Sequence, residues 1–416
     1  MSAYKIIGNM TGNSMDAIDL VLTEFDGNKI KDICSFSKPY TEQMRLKMAG
    51  LRKAVFNKTK EEIEAVSDFF EIHNEYIRQI ADCVNQMCAD NGIDKSTIRA
   101  IGFHGKTLDH YPPSKALKEH SLPYTLQIGS GQMLADLTGI DVVYDFRSDL
   151  LMAGFEGAPL VGQHNAHIAL SLGDGCYYNG GNTSNFAFIV NAKAVLSSDS
   201  GPFNEYTDAF IRLHTKEMFD QNGMFGLKGN LDKGLLQAVF DFGRDFYETK
   251  LPKSGDPAYY DQSKIFDYVK QKNITFEDAV KTFEYAAAYI AVQALTLVPE
   301  NVSVPQKMVL FGGGWKNPVV KKSFEDLLEA KGFVLEEHQE AFEKLWARLG
   351  DHVCIEYCPF GEYMEARLMA DLARYKLENK AWDKGIVCGK IAKAENLKNK
   401  YDDCVNRAAK GWQEKI

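Results

Sequence analysis

The sequence lacks several features that mark membrane and secreted proteins. It contains no uninterrupted apolar run of about 18 residues, roughly the length that a membrane-spanning helix needs. The amino terminus lacks the basic and then apolar order of a secretory signal peptide. These absences predict a soluble, cytoplasmic protein without a membrane partner.

Cysteine pairs at metal-site spacing and an excess of basic charge are also missing. The eight cysteines are scattered, and the closest pairs, Cys83 with Cys88 and Cys354 with Cys358, do not repeat at the spacing of a zinc site. We therefore expect reduced thiols, most of them in the core. The formal net charge of −9 argues against non-specific binding to nucleic acid. We expect no nucleic-acid partner.

Short apolar strands alternate with helical stretches along the chain. A length of 416 residues, of which 45% are apolar, favours two domains, each with its own core. Strands are expected at Tyr4–Ile7, Ile18–Phe25, Ala100–Phe103, Ile140–Tyr144, Gly175–Tyr178, Phe186–Val190, Lys307–Phe311 and His352–Tyr357. Helices are expected at Lys60–Asn91, Phe276–Leu297 and about Glu362–Leu377, the second opened by a capping box of Thr275 and Asp278. The pattern predicts an α/β fold with mixed sheets.

A polar loop punctuated by glycines, Gly8–Asp19, lies between the first two predicted strands. Its two glycines let a ligand approach the backbone closely, and the hydroxyls of Thr11 and Ser14 can donate to oxyanions. Asp16 can reach a metal-bound water. The loop is therefore a candidate phosphate site, although short loops of this composition are also ordinary hairpin turns.

The same arrangement occurs a second time in the chain. Gly180–Asn185 lies between two predicted strands, and Gly312–Gly314 follows another strand and precedes a helix from about Asn317. A strand-to-helix junction of this kind suits the base and ribose, or the α-phosphate, of a nucleotide. Two phosphate-type hairpins followed by a glycine turn resemble the actin, sugar kinase and Hsp70 ATPase group, in which ATP lies between two related domains.

The segment Ala100–Thr107 also matches a relaxed phosphate-loop pattern, with Gly-Lys-Thr at its end. A true phosphate loop opens directly into a helix whose amino terminus holds the phosphates. Here Pro112 and Pro113 follow so soon after Lys106 that they would stop such a helix. We therefore interpret the match as accidental.

Eight further blocks of the sequence point to one particular family. Four of them are Phe103–Thr107, Thr125–Gly129, Asp145–Arg147 and Gly157–Leu160. The others are Gly12–Asp19, Asp199–Asn204 followed by Asp208, Gly312–Pro318 and Met364–Ala366. Together they span about residues 6 to 370, and in content and order they resemble the anhydro-N-acetylmuramic acid kinases and the related fungal levoglucosan kinases.

The resemblance implies two related actin-like (ribonuclease H-like) ATPase domains with mixed sheets and a central cleft. The implied ranges are residues 1–165 and 166–380, with 381–416 as a peripheral tail. The implied enzyme uses ATP and Mg²⁺ to phosphorylate O6 of a 1,6-anhydro sugar while water opens the anhydro bridge. The implied substrate is anhydro-N-acetylmuramic acid, from peptidoglycan recycling, and a homodimer is plausible from relatives.

The resemblance and the glycine pattern together assign binding residues. Those assigned to the nucleotide are Gly12, Asn13, Ser14, Met15, Asp16, Asp19, Asn179, Gly180, Gly181, Gly312, Gly313, Gly314 and Asn317. Those assigned to the sugar are His104, Thr107, Arg147, Asp199 and Asn204, and those assigned to the metal, directly or through water, are Asp16 and Asp199. Structural alternatives stay open for three of them: a hydrogen-bonded structural role for His104, an ion pair with Asp145 for Arg147, and a turn cap for Asp199.

The candidate catalytic carboxylates are Asp149 and Glu365, of which Glu365 matches its family position directly and has a surface acid on the last helix as its alternative role. Attack of water on the anomeric carbon calls for a general base. The family has that carboxylate three residues after the arginine of Asp-Phe-Arg, where this chain has Leu150. Asp149, one residue earlier, is either a base displaced by a slip of the loop or an exposed acid.

Other departures from the family pattern concern the substrate. Lys253–Pro257 lacks an arginine and a glutamate that relatives have, Gly180–Asn185 is one residue longer, and Phe203 replaces a glycine. Two alternatives therefore stay open: a kinase for another sugar, and a nucleotide-binding or regulatory homologue with impaired catalysis.

Overall fold

The structure is a computed structural model. It describes residues 4–12, 17–27, 29–56, 58–118, 122–255, 262–350, 352–358, 361, 363–382, 385–395, 398 and 400–409. By contacts it divides into two compact units, Met1–His164 with Tyr363–Ile416, and Asn165–Glu362. Among the described helices, none has both the length and the apolar character needed to cross a membrane.

The described secondary structure alternates strands and helices. The strands are β1 Tyr4–Met10, β2 Ala17–Asp26, β3 Lys29–Pro39, β4 Ile98–Phe103, β5 Lys106–Tyr111, β6 Tyr124–Ile128, β7 Val142–Tyr144, β8 Gly175–Gly180, β9 Thr183–Val190, β10 Lys193–Pro202, β11 Lys307–Phe311, β12 Cys354–Tyr357, β13 Lys390–Ala392 and β14 Val405–Ala409. The helices are α1 Glu42–Ala54, α2 Lys60–Glu64, α3 Phe69–Asp90, α4 Pro113–Lys118, α5 Gly131–Thr138, α6 Ser148–Met152, α7 Val161–Leu172, α8 Glu205–His214, α9 Lys233–Tyr247, α10 Gln262–Gln271, α11 Phe276–Thr296, α12 Pro318–Leu328, α13 Gln339–Leu349 and α14 Met364–Leu377.

The first unit contains a six-stranded mixed sheet in the order β13-β7-β4-β1-β2-β3. Strands β1, β2 and β3 are antiparallel, β4 runs parallel to β1, and β7 runs parallel to β4. The central strand is buried on both faces: Ile6 packs in a cluster with Leu368, whereas Ile7 packs in the cluster that contains Tyr76. A second sheet, β14-β6-β5, is antiparallel.

The second unit repeats this plan in a five-stranded sheet with the order β10-β9-β8-β11-β12. Its first three strands are antiparallel, and its last two run parallel to β8. Helix α11, rich in alanine, is buried along most of its length in the core of this unit. Because both units share the strand order three-two-one-four-five, the predicted fold of two related ribonuclease H-like domains with mixed sheets is confirmed.

The predicted elements agree with the structure except in one long helix. The predicted strand Lys307–Phe311 and the predicted helix from Phe276 are present, and the Thr275 hydroxyl accepts the N–H of Asp278 at 3.2 Å. The prediction of one helix over Lys60–Asn91 is wrong, because α2 ends at a cap at Ala65 and α3 begins only at Phe69.

The expected domain ranges differ from the observed division near the carboxyl terminus. Helix α14 packs on β1, β2 and β4 of the first unit, and not within the expected range 166–380 of the second. The expected peripheral tail supplies β13 and β14, which pair with β7 and β6. The cause is backbone hydrogen bonding, because both tail strands complete edges that would otherwise be unpaired.

The segment that matches the phosphate-loop pattern forms two strands. Strand β4 ends at Phe103 and β5 begins at Lys106, so no helix follows the Gly-Lys-Thr triplet. The interpretation of this match as accidental is therefore confirmed.

Candidate active site

The first hairpin is anchored at both of its described ends. Asn13, Ser14, Met15 and Asp16 lie outside the described residues. Before them, the carbonyl of Gly12 accepts a hydrogen bond of 2.9 Å from the Nζ of Lys106, a buried side chain on β5. After them, Asp19 lies in β2, where its carboxylate accepts the Ser37 hydroxyl at 2.7 Å. The structure therefore places Asp19 within strand β2 of the hairpin and Gly12 at the start of the loop.

The Thr11 hydroxyl faces the protein interior. It lies 3.0 Å from the hydroxyl of Tyr40 and receives a hydrogen bond of 3.3 Å from the hydroxyl of Tyr76. All three side chains are buried. Because these contacts satisfy the hydroxyl, Thr11 fixes the hairpin to the core beneath it.

His104 and Arg147 form a buried pair in the first unit. The Nδ1 of His104 lies 2.9 Å from the carbonyl of Gly105 and therefore carries the proton, so its Nε2 accepts the Nη2 of Arg147 at 3.0 Å. Burial, reinforced by the charge of Arg147, lowers the pKa of His104 to about 3. The histidine is thus neutral at physiological pH and orients the guanidinium, which also donates to the carbonyl of Gly157 at 2.9 Å.

A buried polar face lies on the paired strands β5 and β6. Thr107 pairs with Gln127, and the side chain of Gln127 donates to the Thr125 hydroxyl at 2.6 Å. The hydroxyl of Thr107 and the Oε1 of Gln127 are buried and have no hydrogen-bond partner among the residues that the structure describes. His110 lies beside them, 3.0 Å from Thr125 through Nδ1, and burial lowers its pKa to about 3. Buried polar atoms of this kind require partners, which a water molecule or a ligand hydroxyl can supply.

The second hairpin and the glycine turn of the second unit lie in contact. Strand β8 ends with Asn179 and Gly180, and Asn179 pairs in register with the last residue of β11, Phe311. Gly312 follows with a φ of +98°, and a Cβ there would lie 2.6 Å from the Oδ1 of Asn179 and 2.7 Å from the carbonyl of Gly180. The close approach of the two loops therefore requires glycine at position 312.

Two aromatic rings pack beneath these loops. Phe203 and Trp315 are buried with their ring centroids 4.6 Å apart, and the Trp315 indole donates to the carbonyl of Tyr178 at 3.1 Å. A Cβ on Gly180 would lie 2.7 Å from the Phe203 ring, and one on Gly314 would lie 2.6 Å from it. A Cβ on Gly180 would also lie 2.6 Å from the Trp315 Nε1, so packing against both rings explains Gly180 and packing against Phe203 explains Gly314.

Gly181 and Gly313 have room around them. A Cβ on Gly313 would meet nothing within 4 Å, and one on Gly181 would make only ordinary contacts, at 3.6 Å or more. Neither residue has the positive φ that favours glycine. These two positions therefore leave the backbone open to a ligand.

Asn317 caps helix α12. Its Oδ1 accepts the N–H of Val319 at 2.9 Å, and its Nδ2 donates to Glu284 at 2.5 Å. Burial, together with the neighbouring Asp220, raises the pKa of Glu284 to about 9, so this carboxyl is protonated at neutral pH. The structure thus gives Asn317 a capping role at the end of the glycine turn.

Asp199 and Asn204 hold neighbouring segments in place. The carboxylate of Asp199 is buried and accepts the N–H of Gly255 at 2.8 Å, while its own N–H donates to the carbonyl of Lys253 at 3.0 Å. The N–H of Asn204 donates to the carbonyl of Gly181 at 3.2 Å. Among the described residues, no group of three potential ligands is arranged to hold a metal ion.

The comparisons with known proteins agree with this geometry. The sequence profile of the family Anhydro-N-acetylmuramic acid kinase matches residues 4–340. The chain belongs to this family. An anhydro-N-acetylmuramic acid kinase of Vibrio vulnificus is 29% identical over 352 residues, which cover 82% of this chain and 90% of the relative. Another, of Brucella canis, is 29% identical over 335 residues and covers 79% and 84%.

Among solved structures, component A of the Acidaminococcus fermentans (R)-2-hydroxyglutaryl-CoA dehydratase matches 91% of this chain and all of its own length. It has 12% sequence identity and a TM-score of 0.41.

The family's base position is occupied by a core residue. Leu150 is buried in the cluster that includes Phe146 and Leu160. Asp149, next to it in the short helix α6, accepts the N–H of Gly389 at 2.8 Å through Oδ2. The structure therefore brings Asp149 to the carboxyl-terminal part of the chain, by a contact that the sequence does not reveal.

Glu365 lies in the first turn of α14 and is half-buried. Helix α14 is fixed closely on the sheet of the first unit, with Ala366 above Gly8. The second carboxylate predicted from this family is thus carried by a rigid element.

Three polar residues of this region escaped the sequence analysis: Lys106, His110 and Gln127. All three lie within or just after blocks that resemble the family. The alternation of β5 and β6 could have indicated a shared face for Thr107 and Gln127, because cross-strand partners point to the same side.

Proposed function

We propose that this chain is an ATP-dependent kinase that opens a 1,6-anhydro sugar with water and phosphorylates its O6. The favoured substrate is anhydro-N-acetylmuramic acid, as the family's name suggests, and the role is in peptidoglycan recycling. The observation that carries the proposal is the buried polar face of Thr107 and Gln127, together with the oriented Arg147, whose charge acts on His110 of the same strand as Thr107, in a chain of this family. A carbohydrate ligand suits this site, because its hydroxyl groups would form hydrogen bonds with the Thr107 hydroxyl and the Gln127 Oε1.

Arg147 supplies the fixed positive charge of the proposed sugar site. His104 and Gly157 accept hydrogen bonds from two nitrogen atoms of its guanidinium. Because the side chain is already held in one conformation, it loses less conformational entropy when a ligand binds. A guanidinium presented in this way suits a phosphate group or the lactyl carboxylate of anhydro-N-acetylmuramic acid. Thr107 and Gln127 would bind hydroxyl groups.

The nucleotide is proposed to contact the backbone at Gly181 and Gly313, where no side chain stands in the way. Mg²⁺, when bound, would neutralise the charge that develops on the transferred phosphoryl group. The carboxylate of Asp199 accepts the N–H of Gly255 through Oδ2, and no group of three potential metal ligands occurs among the described residues. Mg²⁺ is therefore proposed to be carried mainly by nucleotide phosphates and water, which it favours.

One observation favours a second candidate function. The family's base position holds buried Leu150, and one oxygen of Asp149 is engaged by Gly389. If neither Asp149 nor Glu365 activates water, the chain is a nucleotide-binding homologue with impaired catalysis. A kinase for another sugar is the remaining alternative, since the segment around Lys253 departs from relatives.

The test is ADP release from MgATP with anhydro-N-acetylmuramic acid, with levoglucosan and without sugar. Wild type is compared with Asp149→Asn and Glu365→Gln, and Glu340→Gln, another first-turn glutamate, is the control. Stimulation by one anhydro sugar and its loss by about 100-fold or more in one of the two variants would support the kinase and assign its base. Equal, slow release under all conditions would favour the impaired homologue.

A homodimer also stays a prediction. Sedimentation of the purified chain over a range of concentrations checks it, because a dimer of this size has twice the 46.7 kDa mass of the chain.

A further inference from the structure

We propose that residues Ile386–Ala392, here called the C-terminal segment, position the loop Asp145–Leu160, here called the Arg147 loop. Asp149 is then an anchor that joins the two. The part of the proposal that concerns sugar binding rests on the proposed function, whereas the anchoring itself does not. The segment lies beyond residues 4–340, which the family profile matches.

Backbone pairing brings the segment to the beginning of the loop. Strand β13 is antiparallel to β7, with Lys390 opposite Tyr144. Just before the strand, the N–H of Gly389 donates to Asp149 at 2.8 Å. Gly389 has a φ of +103°, and a Cβ there would lie 3.0 Å from the Phe146 ring. The segment thus fits closely against the loop residues on either side of Arg147.

Charge compensation adds a second connection. The carboxylate of Asp145 is 1% exposed and forms an ion pair of 2.7 Å with the Nζ of Lys390. It also accepts the hydroxyl of Ser148 at 2.5 Å. A buried carboxylate without a countercharge is strongly unfavourable. Lys390 therefore stabilises the start of the Arg147 loop from outside it.

The far end of the loop is held by Trp382, which precedes the segment. Its indole N–H donates to the carbonyl of Leu160 at 3.0 Å, and its backbone N–H donates to the carbonyl of Ile386 at 2.7 Å. Its ring packs edge-on against Tyr375 of α14 at 4.9 Å. Both ends of the Arg147 loop are therefore tied to the same stretch of chain.

These connections predict a selective kinetic effect. Arg147 is placed by contacts to His104 and Gly157, and Gly157 belongs to the loop. Loosening the loop would therefore disturb the proposed sugar contacts and leave the glycine turn of the second unit unchanged. The KM for the sugar should rise, and the KM for ATP should stay constant.

The experiment compares Lys390→Ala with Lys393→Ala. Lys393 is the matched control because it directly follows β13, is similarly exposed (60% against 56%), and forms an ion pair with Asp141, outside the loop. Hydrogen–deuterium exchange of amides 145–157 is measured in both variants, together with both KM values. We expect exchange at least about 10-fold faster, and a raised sugar KM, only in Lys390→Ala.

A second pair of variants tests the Asp149 anchor by exchange alone. Asp149→Ala removes the acceptor for the Gly389 N–H, whereas Asp149→Asn retains an oxygen acceptor. Faster loop exchange in the alanine variant and wild-type exchange in the asparagine variant would support the anchor. Wild-type exchange in both Lys390→Ala and Asp149→Ala would overturn the proposal. If the wild type shows no sugar-stimulated ADP release, the proposed function fails while the exchange result still decides the anchoring.

Discussion

Gly8 of β1 lies directly opposite Gly102 of β4, and the backbone of helix α14 crosses this pair. A Cβ on Gly8 would lie 1.7 Å from the carbonyl oxygen of Ala366, and one on Gly102 would lie 2.0 Å from that of Met369. Both distances are far below van der Waals contact. The two glycines therefore allow the helix that carries Glu365 to lie against the sheet that leads into the first hairpin.

Gly8→Ala or Gly102→Ala should destabilise the protein by about 3 kcal/mol or more, because helix backbone cannot move aside as a side chain can. Gly50→Ala is the control: Gly50 is exposed within α1, and a Cβ there meets nothing within 4 Å. That variant should gain about 0.5–1 kcal/mol from helix propensity. Urea unfolding checks all three. A stability of Gly8→Ala equal to wild type would mean that α14 does not pack this closely.

Local patterns predict eight of the fourteen described strands, including those of both hairpins, but not β3, β5, β6, β10, β13 or β14. Lys307–Phe311 is apolar and followed by three glycines, and the structure has a strand with these bounds. The long helix prediction failed at Ala65–Asp68, because apolar spacing continues through the break between α2, which begins after the Thr59 cap and ends at Ala65, and α3, which begins at Phe69. Spacing alone cannot distinguish one long helix from two short ones in line.

The contacts that define the candidate site are less accessible to sequence reasoning. Asp149 and Gly389 are 240 residues apart, so no local pattern links them. The glycines of the nucleotide loops were assigned to ligand approach, yet packing against the rings of Phe203 and Trp315 explains two of them. A glycine indicates that another group approaches the backbone closely, and only the folded structure shows whether that group belongs to the protein or to a ligand.

The open and packed glycines of the second unit should behave differently. Gly181→Ala and Gly313→Ala should leave the free energy of unfolding almost unchanged and weaken nucleotide binding, because the added methyl group meets only the ligand. Gly314→Ala should instead lower stability by about 1–3 kcal/mol, since its methyl group would lie 2.6 Å from the Phe203 ring. Calorimetric titration with ATP and urea unfolding separate the two effects. Unchanged ATP affinity in both open-position variants would argue against a nucleotide at these loops.

His104 should make the protein sensitive to acid. Its pKa falls from 6.5 to about 3 on folding, so the unfolded chain takes up a proton at this residue before the folded protein does. The free energy of unfolding is therefore unaffected by His104 above pH 6.5 and decreases as the pH falls from 6.5 towards 3. At pH 5 this decrease is up to about 2 kcal/mol.

His104→Gln removes this proton uptake and should reduce the loss between pH 7.5 and pH 5 by about that amount. Exposed His352 provides the control variant His352→Gln, which should keep the wild-type loss. Urea unfolding of the three proteins at both pH values is the measurement. If His104→Gln and wild type lose equal stability, the folded histidine is not held neutral.

Glu284 should have the opposite effect, a loss of stability as the pH rises from about 4.5 to about 9. The carboxylate of Asp220, which accepts the N–H groups of Phe225 and Gly226 at 3.0 and 2.9 Å, lies beside Glu284. Burial, together with this neighbouring carboxylate, raises the pKa of Glu284 from 4.5 to about 9 on folding. Between these values the folded protein binds one more proton than the unfolded chain, so its stability falls as the pH rises.

Glu284→Gln replaces this carboxyl by a neutral group of the same size, which keeps an acceptor for Asn317 and fits the close approach of Gly226. The wild type should lose up to about 2.7 kcal/mol between pH 6 and pH 8 through this group, and the variant should not. Glu277→Gln, on the first turn of the same helix, should retain the wild-type slope. Urea unfolding at pH 6, 7 and 8 gives the slope of the free energy of unfolding against pH for the wild type and both variants. An unaltered slope in Glu284→Gln would show that the carboxyl is already ionised at pH 6, with its charge balanced by the Asn317 amide and the helix amino terminus.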